Sequence, residues 1–154
     1  MARPDRKPGA VPRIVLVLAV LALAAGPAAS SEPPVSIDLG VAVASNDGTR
    51  IDPQLADLRA KLKAMFNYTS YRMLDRKRRS LSVGETGEFE LPGRRAMRAT
   101  LLPAHGDKVR LSIRISDGPS NLLTTTLGLR RGGMVLVGGP TYQTGVLILI
   151  LSAQ

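Results

Sequence analysis

The feature that most constrains the fold is an unbroken apolar run near the carboxyl end, VLILIL at residues 146 to 151. A helix that crosses a membrane needs about 20 apolar residues, so this run is too short to be one. It shows no polar alternation, and it follows turn residues at Gly138, Gly139 and Gly145. This pattern is typical of a β-strand that is buried on both faces. We therefore expect residues 146 to 151 to form a central strand of the core.

The first thirty residues have the three regions of a secretory signal peptide in their usual order. Residues 3 to 13 carry four basic side chains, residues 14 to 25 are all apolar, and residues 26 to 30 are a small-residue segment. We expect cleavage after Ala28 or Ser30 and export to the bacterial periplasm or the medium. The alternative is an uncleaved segment that tethers the protein to the inner membrane.

The remaining residues, 31 to 154, are expected to form one β-rich domain. The chain contains no cysteine, which excludes a disulfide framework and a thiolate metal site. Without the first thirty residues, 17 basic and 11 acidic side chains remain, a net charge of +6. A basic balance favours an anionic partner.

One amphipathic helix is predicted over about residues 53 to 66. Asp52 is suited to the N-cap and Pro53 to the first helical position. The apolar residues at helical spacing are Leu55, Leu58, Leu62, Met65 and Phe66. We expect an ion pair between Asp57 and Lys61 on the solvent-exposed face of the helix. Asn67 is the expected stop, because asparagine tolerates the left-handed conformation.

Alternation of apolar and polar residues predicts strands over most of the remaining chain. The expected strands cover residues 35 to 43, 68 to 74, 80 to 83, 88 to 91, 97 to 101, 109 to 115, 122 to 129, 134 to 137 and 146 to 151. The second and third of these flank the basic run 75 to 79 or continue through it. The fold class is therefore mainly β, an antiparallel β-sandwich of seven or eight short strands with one helix. The alternative is an α+β fold with the helix packed on one antiparallel sheet.

Arginine is the candidate binding residue, because its planar fork suits phosphate and carboxylate groups. The candidate positions are Arg76, Arg78, Arg79, Arg94, Arg98, Arg110 and Arg114. If residues 94 to 115 form a hairpin, the last four share one outer face, and the basic run adds a cluster nearby or at an edge. The alternative is that these are solvated charges that discourage strand-to-strand aggregation. Nucleic acid is the weakest candidate ligand, because aromatic stacking platforms are missing.

The sequence offers little for catalysis, and we expect no cofactor or metal. His105 is the one histidine, so a histidine-based zinc site cannot be assembled. Glu88 and Glu90 lie on one face of an expected strand and could mimic a glycosidase pair, although the wet side of a strand is the simpler interpretation. The doubled glycines lack the lysine of a phosphate-binding loop and are interpreted as turn and bulge glycines.

The tyrosines at positions 68, 71 and 142 have two interpretations. They could line a ligand groove. A tyrosine on a strand more often packs with its hydroxyl at the rim, and we expect packing.

The segment LRRGGMVLVGGP at residues 129 to 140, followed by GVLILIL at 145 to 151, resembles small exported β-rich bacterial proteins of uncharacterised function. The VLVGG segment with the apolar strand after it is similar to the late strands of outer-membrane secretins. This resemblance covers about twenty residues. It implies a role beside an envelope assembly and carries over no functional residues.

These observations favour a non-enzymatic exported domain that acts by binding in the bacterial cell envelope. The expected partner is an envelope or secretion-apparatus protein or an anionic surface. The alternatives are a small hydrolase that uses acidic residues such as Glu88 or Asp107, and the membrane-tethered domain described above.

Overall fold

The computed structural model describes residues 32 to 154, so the predicted signal peptide lies outside the described residues. The elements in chain order are β1 (Val35–Ser45), a 3-10 helix (Pro53–Leu58), α1 (Arg59–Met65), β2 (Ser70–Leu81), β3 (Thr86–Leu91), β4 (Arg95–Leu102), β5 (Lys108–Asp117), β6 (Ser120–Arg130), β7 (Met134–Tyr142) and β8 (Gly145–Ala153).

The strands form two four-stranded antiparallel sheets. Sheet A has the order β2-β1-β8-β7, and sheet B has the order β3-β4-β5-β6. Every strand is therefore beside its predecessor in the chain, either within a sheet or across one of two seams, β2 to β3 and β6 to β7. Strand β8 returns to pair with β1. The predicted mainly β sandwich is confirmed, and its topology is a flattened up-and-down meander.

The predicted burial of the last strand on both faces is also confirmed. Leu147, Leu149 and Leu151 point into the core between the sheets. Ile148 and Ile150 point to the other face of sheet A, where they contact the helical segment. Because sheet A has a core on each side, its central strands need apolar residues at consecutive positions.

The helical segment differs from the prediction in its first half. Asp52 is the N-cap and accepts a hydrogen bond from the backbone N–H of Gln54 at 3.0 Å, as expected. Residues 53 to 58 are a 3-10 helix, which turns about 120° per residue instead of about 100°. Leu55 and Leu62 are nevertheless buried in one cluster, with Leu58 and Phe66 packed against it, so four of the five predicted apolar positions lie on the face that packs on sheet A. Met65, the last residue of the helix, is 56 % exposed, so its predicted place on the apolar face is wrong.

Two smaller predictions about the helix are also wrong. The helix ends at Met65 and the chain becomes extended at Phe66, whose φ is −128°. Asn67 does not adopt a positive φ, so it does not provide a left-handed stop. Asp57 and Lys61 form no ion pair within 4.0 Å.

Two strands are longer than their apolar patterns and contain a register shift. Of the two alternatives for the basic run, the structure has the continuous strand: the run lies inside β2, whose register against β1 shifts between Val41 and Ala42. Strand β7 likewise continues past its doubled glycine to Tyr142, with a register shift between Gly138 and Thr141. The glycines at 138 and 139 are therefore bulge residues, as interpreted, while Gly132 has a φ of 74° in the preceding turn.

Tyr71 attaches the helical segment to sheet A. Its side chain is 1 % exposed, and its hydroxyl donates to the backbone carbonyls of Phe66 at 2.7 Å and Leu62 at 3.2 Å. The carbonyl of Leu62 also accepts the N–H of Phe66 at 2.8 Å, and Phe66 directly follows the last residue of the helix, so the hydroxyl lies against the carboxyl end of α1. Packing is therefore confirmed for Tyr71, while Tyr68 and Tyr142 are half-buried.

We expect the Leu149→Asp variant not to fold. Leu149 is fully buried between the sheets, and an unpaired carboxylate there costs about 5 kcal/mol or more, which is comparable with the whole stability of a domain of about 5 to 15 kcal/mol. Circular dichroism and solubility would measure the loss. Leu122→Asp is the control, because Leu122 is 43 % exposed, and this variant should fold normally. A folded Leu149→Asp protein would contradict the central position of β8.

We expect stability to fall as the pH rises above 10, in part because of Tyr71. Burial disfavours the phenolate and raises the pKa of Tyr71 above its ordinary value of 10.0. Between the two pKa values the unfolded chain binds fewer protons than the folded one, so the free energy of unfolding falls with pH. Tyr71→Phe should lose about 1 kcal/mol at neutral pH and show a flatter alkaline decline. Urea titrations across this pH range would measure both effects, and parallel declines would contradict the assignment.

Candidate functional site

Sheet B presents the face that the sequence predicts for three of the arginines. Arg98 on β4 is directly opposite Arg114 on β5 in the register of the sheet, and Arg110 is opposite Leu102 further along the same strands. All three side chains are exposed, because the alternate residues of both strands point into the core. The outer face of sheet B therefore brings Arg98, Arg110 and Arg114 together.

Hydroxyl groups fill the space between these arginines. Thr100, Ser112 and Thr126 form one row across β4, β5 and β6. The row continues to Thr86 on β3, whose hydroxyl is 2.7 Å from that of Thr100. The surface is thus largely polar and built on paired strands. A rigid surface of this kind holds its donors in place before a partner arrives.

An acidic side chain is paired with only one of these three arginines. Arg98 donates from Nε to Oε2 of Glu88 at 2.8 Å. Within residues 32 to 154, neither Arg110 nor Arg114 has a carboxylate within 4.0 Å. Like charges directly opposite each other in a sheet are destabilising. Glu88 offsets this repulsion at Arg98, whereas the charge of Arg114 remains for an anionic partner to bind.

Arg94 does not belong to this face, contrary to the prediction. It lies in the turn between β3 and β4 with a φ of 63°, directly after Gly93 with a φ of 80°. The left-handed turn places Arg94 outside the strand, which begins one residue later at Arg95. The prediction was wrong because the position of the turn was not known to within one residue.

Arg95, which the sequence analysis did not select, connects the two sheets. Its side chain is 17 % exposed and donates from Nε to Oδ2 of Asp117 at 3.2 Å. Its Nη1 donates to the backbone carbonyl of Thr141 on β7 at 2.6 Å. Arg95 and Asp117 are opposite each other in the β4–β5 hairpin. A correct register for this hairpin would have identified them as a pair from the sequence.

The three arginines of the basic run lie on two different sides of edge strand β2. Arg76 and Arg78 line a groove of about 370 Å³ on the outer face of sheet A, where Arg78 forms an ion pair with Asp38. Arg79 points to the seam with β3, and its guanidinium carbon is 5.8 Å from the centre of the Phe89 ring. The basic run therefore forms no single cluster. Arg79 instead covers the edge of β2 that has no hydrogen-bonded neighbouring strand.

The acidic candidates are exposed or already engaged. Glu88 is held by Arg98, and Glu90 is exposed on edge strand β3. Asp107 and His105 are exposed in the turn between β4 and β5, with Asp107 3.9 Å from Arg130. Among residues 32 to 154, no three His, Asp or Glu side chains are grouped so that they could hold a metal ion. None of the helices in this part of the chain is long and apolar enough to span a membrane.

No protein-family model, curated protein or solved structure matches this chain.

We expect Arg95 to contribute to stability and Arg94 not to. Arg95→Met removes the hydrogen bond to Thr141 between the sheets and the ion pair with Asp117 within sheet B, and it should lower the free energy of unfolding by about 1 to 2 kcal/mol. Arg94→Ala removes the same charge from the neighbouring residue and should change stability by less than about 0.5 kcal/mol. Urea denaturation would measure both. Equal losses in the two variants would contradict the connecting role of Arg95.

Proposed function

We propose that the protein is a non-enzymatic exported domain that binds an anionic surface of the bacterial cell envelope through the outer face of sheet B. The observation that carries the proposal is the direct opposition of Arg98 and Arg114, of which only Arg98 forms an ion pair, with Glu88. An anionic surface supplies the missing negative charge.

The chemistry of the surrounding surface supports an anionic headgroup as the partner. Guanidinium groups donate two parallel hydrogen bonds to phosphate oxygens, and the hydroxyl row can donate to the oxygens between them. Arg110 and Arg114 are four residues apart on one strand, which is about 13 Å at about 3.3 Å per residue. This spacing lets each arginine contact a different headgroup.

The export and the location in the envelope rest on the sequence. The first thirty residues have the pattern of a signal peptide, and the carboxyl-terminal strands resemble those of secretins. The hydrolase alternative lacks comparable support, because Glu88 is engaged by Arg98 and Asp107 lies in an exposed turn near Arg130. A general acid or base has to be placed where it can reach a bound substrate.

The test is binding to vesicles that contain phosphatidylglycerol, with pure phosphatidylcholine vesicles as the neutral comparison. We expect the double variant Arg110→Ser, Arg114→Ser to bind the anionic vesicles about thirtyfold more weakly, because each surface arginine contributes about 1 kcal/mol. Binding should also weaken as the salt concentration rises. Cosedimentation across a lipid titration would measure the affinities.

The control variant removes the same charge from another part of the molecule. Arg59 and Lys63 are exposed on α1, so Arg59→Ser, Lys63→Ser should bind almost as well as the parent protein. Equal losses in the two double variants would mean that net charge alone drives binding. Equal binding of the parent protein to neutral and anionic vesicles would contradict the proposal outright.

A further inference from the structure

A second basic site lies at the end of the sandwich where β1 and β7 end. It is a cleft of about 390 Å³. One wall contains Arg50, from the segment after β1, and Arg72, from the start of β2. The other wall is the β7–β8 turn with Gln143 and Thr144. The cleft is therefore separate from the outer face of sheet B.

Backbone contacts hold the two segments that carry these arginines next to each other. Ile51 forms a parallel bridge with Tyr71, and the backbone N–H of Tyr71 donates to the carbonyl of Arg50 at 2.9 Å. The hydroxyl of Ser70 donates to the same carbonyl at 3.0 Å. These bonds hold the segment that carries Arg50 against the strand that carries Arg72.

Neither arginine is neutralised within the described residues. No carboxylate lies within 4.0 Å of Arg50 or Arg72. Asp47 also lines the cleft as one negative charge, and its Oδ2 accepts a hydrogen bond from the hydroxyl of Thr144 at 3.2 Å. The lining therefore keeps a net positive charge, which favours a bound anion near the two arginines.

The opposite wall contains a non-glycine residue with a left-handed backbone. Gln143 is the first central residue of a two-residue turn between the paired residues Tyr142 and Gly145, and its φ is 52°. A two-residue hairpin with a positive φ at this position alone usually has glycine there. The chain instead has a glutamine, whose Nε2 donates to the hydroxyl of Tyr142 at 3.5 Å in the cleft. Strain at a non-glycine residue is common at ligand sites.

We propose that this cleft binds a small phosphorylated sugar. Arg50 and Arg72 provide two guanidinium groups for the phosphate dianion. The amide of Gln143 and the hydroxyls of Ser45 and Thr144, all of which line the cleft, are suited to sugar hydroxyl groups. The floor includes Val43, which is 7 % exposed and offers an apolar contact to the ring. The volume is within the usual range for small-ligand sites, about 300 to 1,000 Å³.

Isothermal titration with glucose 6-phosphate, glucose and inorganic phosphate tests this site. We expect glucose 6-phosphate to bind more tightly than inorganic phosphate, and glucose alone to bind most weakly. Arg50→Ser and Arg72→Ser should each weaken the binding of glucose 6-phosphate about tenfold or more. The double variant Arg110→Ser, Arg114→Ser is the control and should bind as the parent protein does.

The outcomes separate this site from the proposed membrane-binding face. Arg50→Ser with Arg72→Ser should bind anionic vesicles nearly as well as the parent protein. No heat from glucose 6-phosphate at about 10 mM, or equal binding by Arg72→Ser and the parent, would overturn the proposal. Inorganic phosphate that binds as tightly as glucose 6-phosphate would overturn its sugar component.

Gln143→Gly tests the role of the strained turn. Glycine adopts a positive φ without strain, so this variant should melt at a temperature about 4 °C higher than the parent protein. It should also bind glucose 6-phosphate more weakly, because the side-chain amide is lost. A gain in stability without a loss of affinity would remove Gln143 from the site.

Discussion

The pairing of β8 with β1 is the contact on which the rest of the structure depends. It joins the last strand of the described chain to the first over residues 37 to 44, and reciprocal backbone hydrogen bonds of 2.9 Å between Ser36 and Gln154 extend it. Both strands are central in sheet A and contribute to the core on each side. Neither the sandwich core nor the layer under the helix is complete before this pair forms. Folding therefore depends on contacts between distant parts of the chain, which form slowly.

The strands were predicted well from the sequence because the burial of each sheet face decides where apolar residues stand along a strand. Ile113 and Leu111 alternate with polar residues on β5 because one face of sheet B is wet. Leu149 and Ile150 do not alternate because sheet A is covered on both sides. Helical spacing also placed Leu55, Leu62 and Phe66 on the face that packs on sheet A. The 3-10 geometry of residues 53 to 58 was not predicted, because the same apolar spacing suits either kind of helix.

The candidate arginines show why site prediction was less successful than fold prediction. Their side-chain directions depend on strand register, and a one-residue change in register reverses the direction. Arg94 lies in a turn, while its neighbour Arg95 points inward and joins the sheets. Residue type could not separate these two roles. Arg50 and Arg72 were missed for another reason, since they are 22 positions apart and meet through a parallel bridge at Ile51 that has no sequence signature.

The pairing of β8 with β1 also determines where a bound ligand can stabilise the folded protein. Asp47 and Thr144 are 97 positions apart, and their hydrogen bond crosses the cleft end beside the β1–β8 pair. A ligand that contacts both walls of the cleft binds only the closed fold, because the unfolded chain separates these walls. By mass action, such a ligand stabilises the native state in proportion to the logarithm of its concentration relative to Kd. The β1–β8 pairing and the proposed small-ligand site are therefore linked. The outer face of sheet B is built from consecutive strands, and its geometry does not depend on the β1–β8 pair.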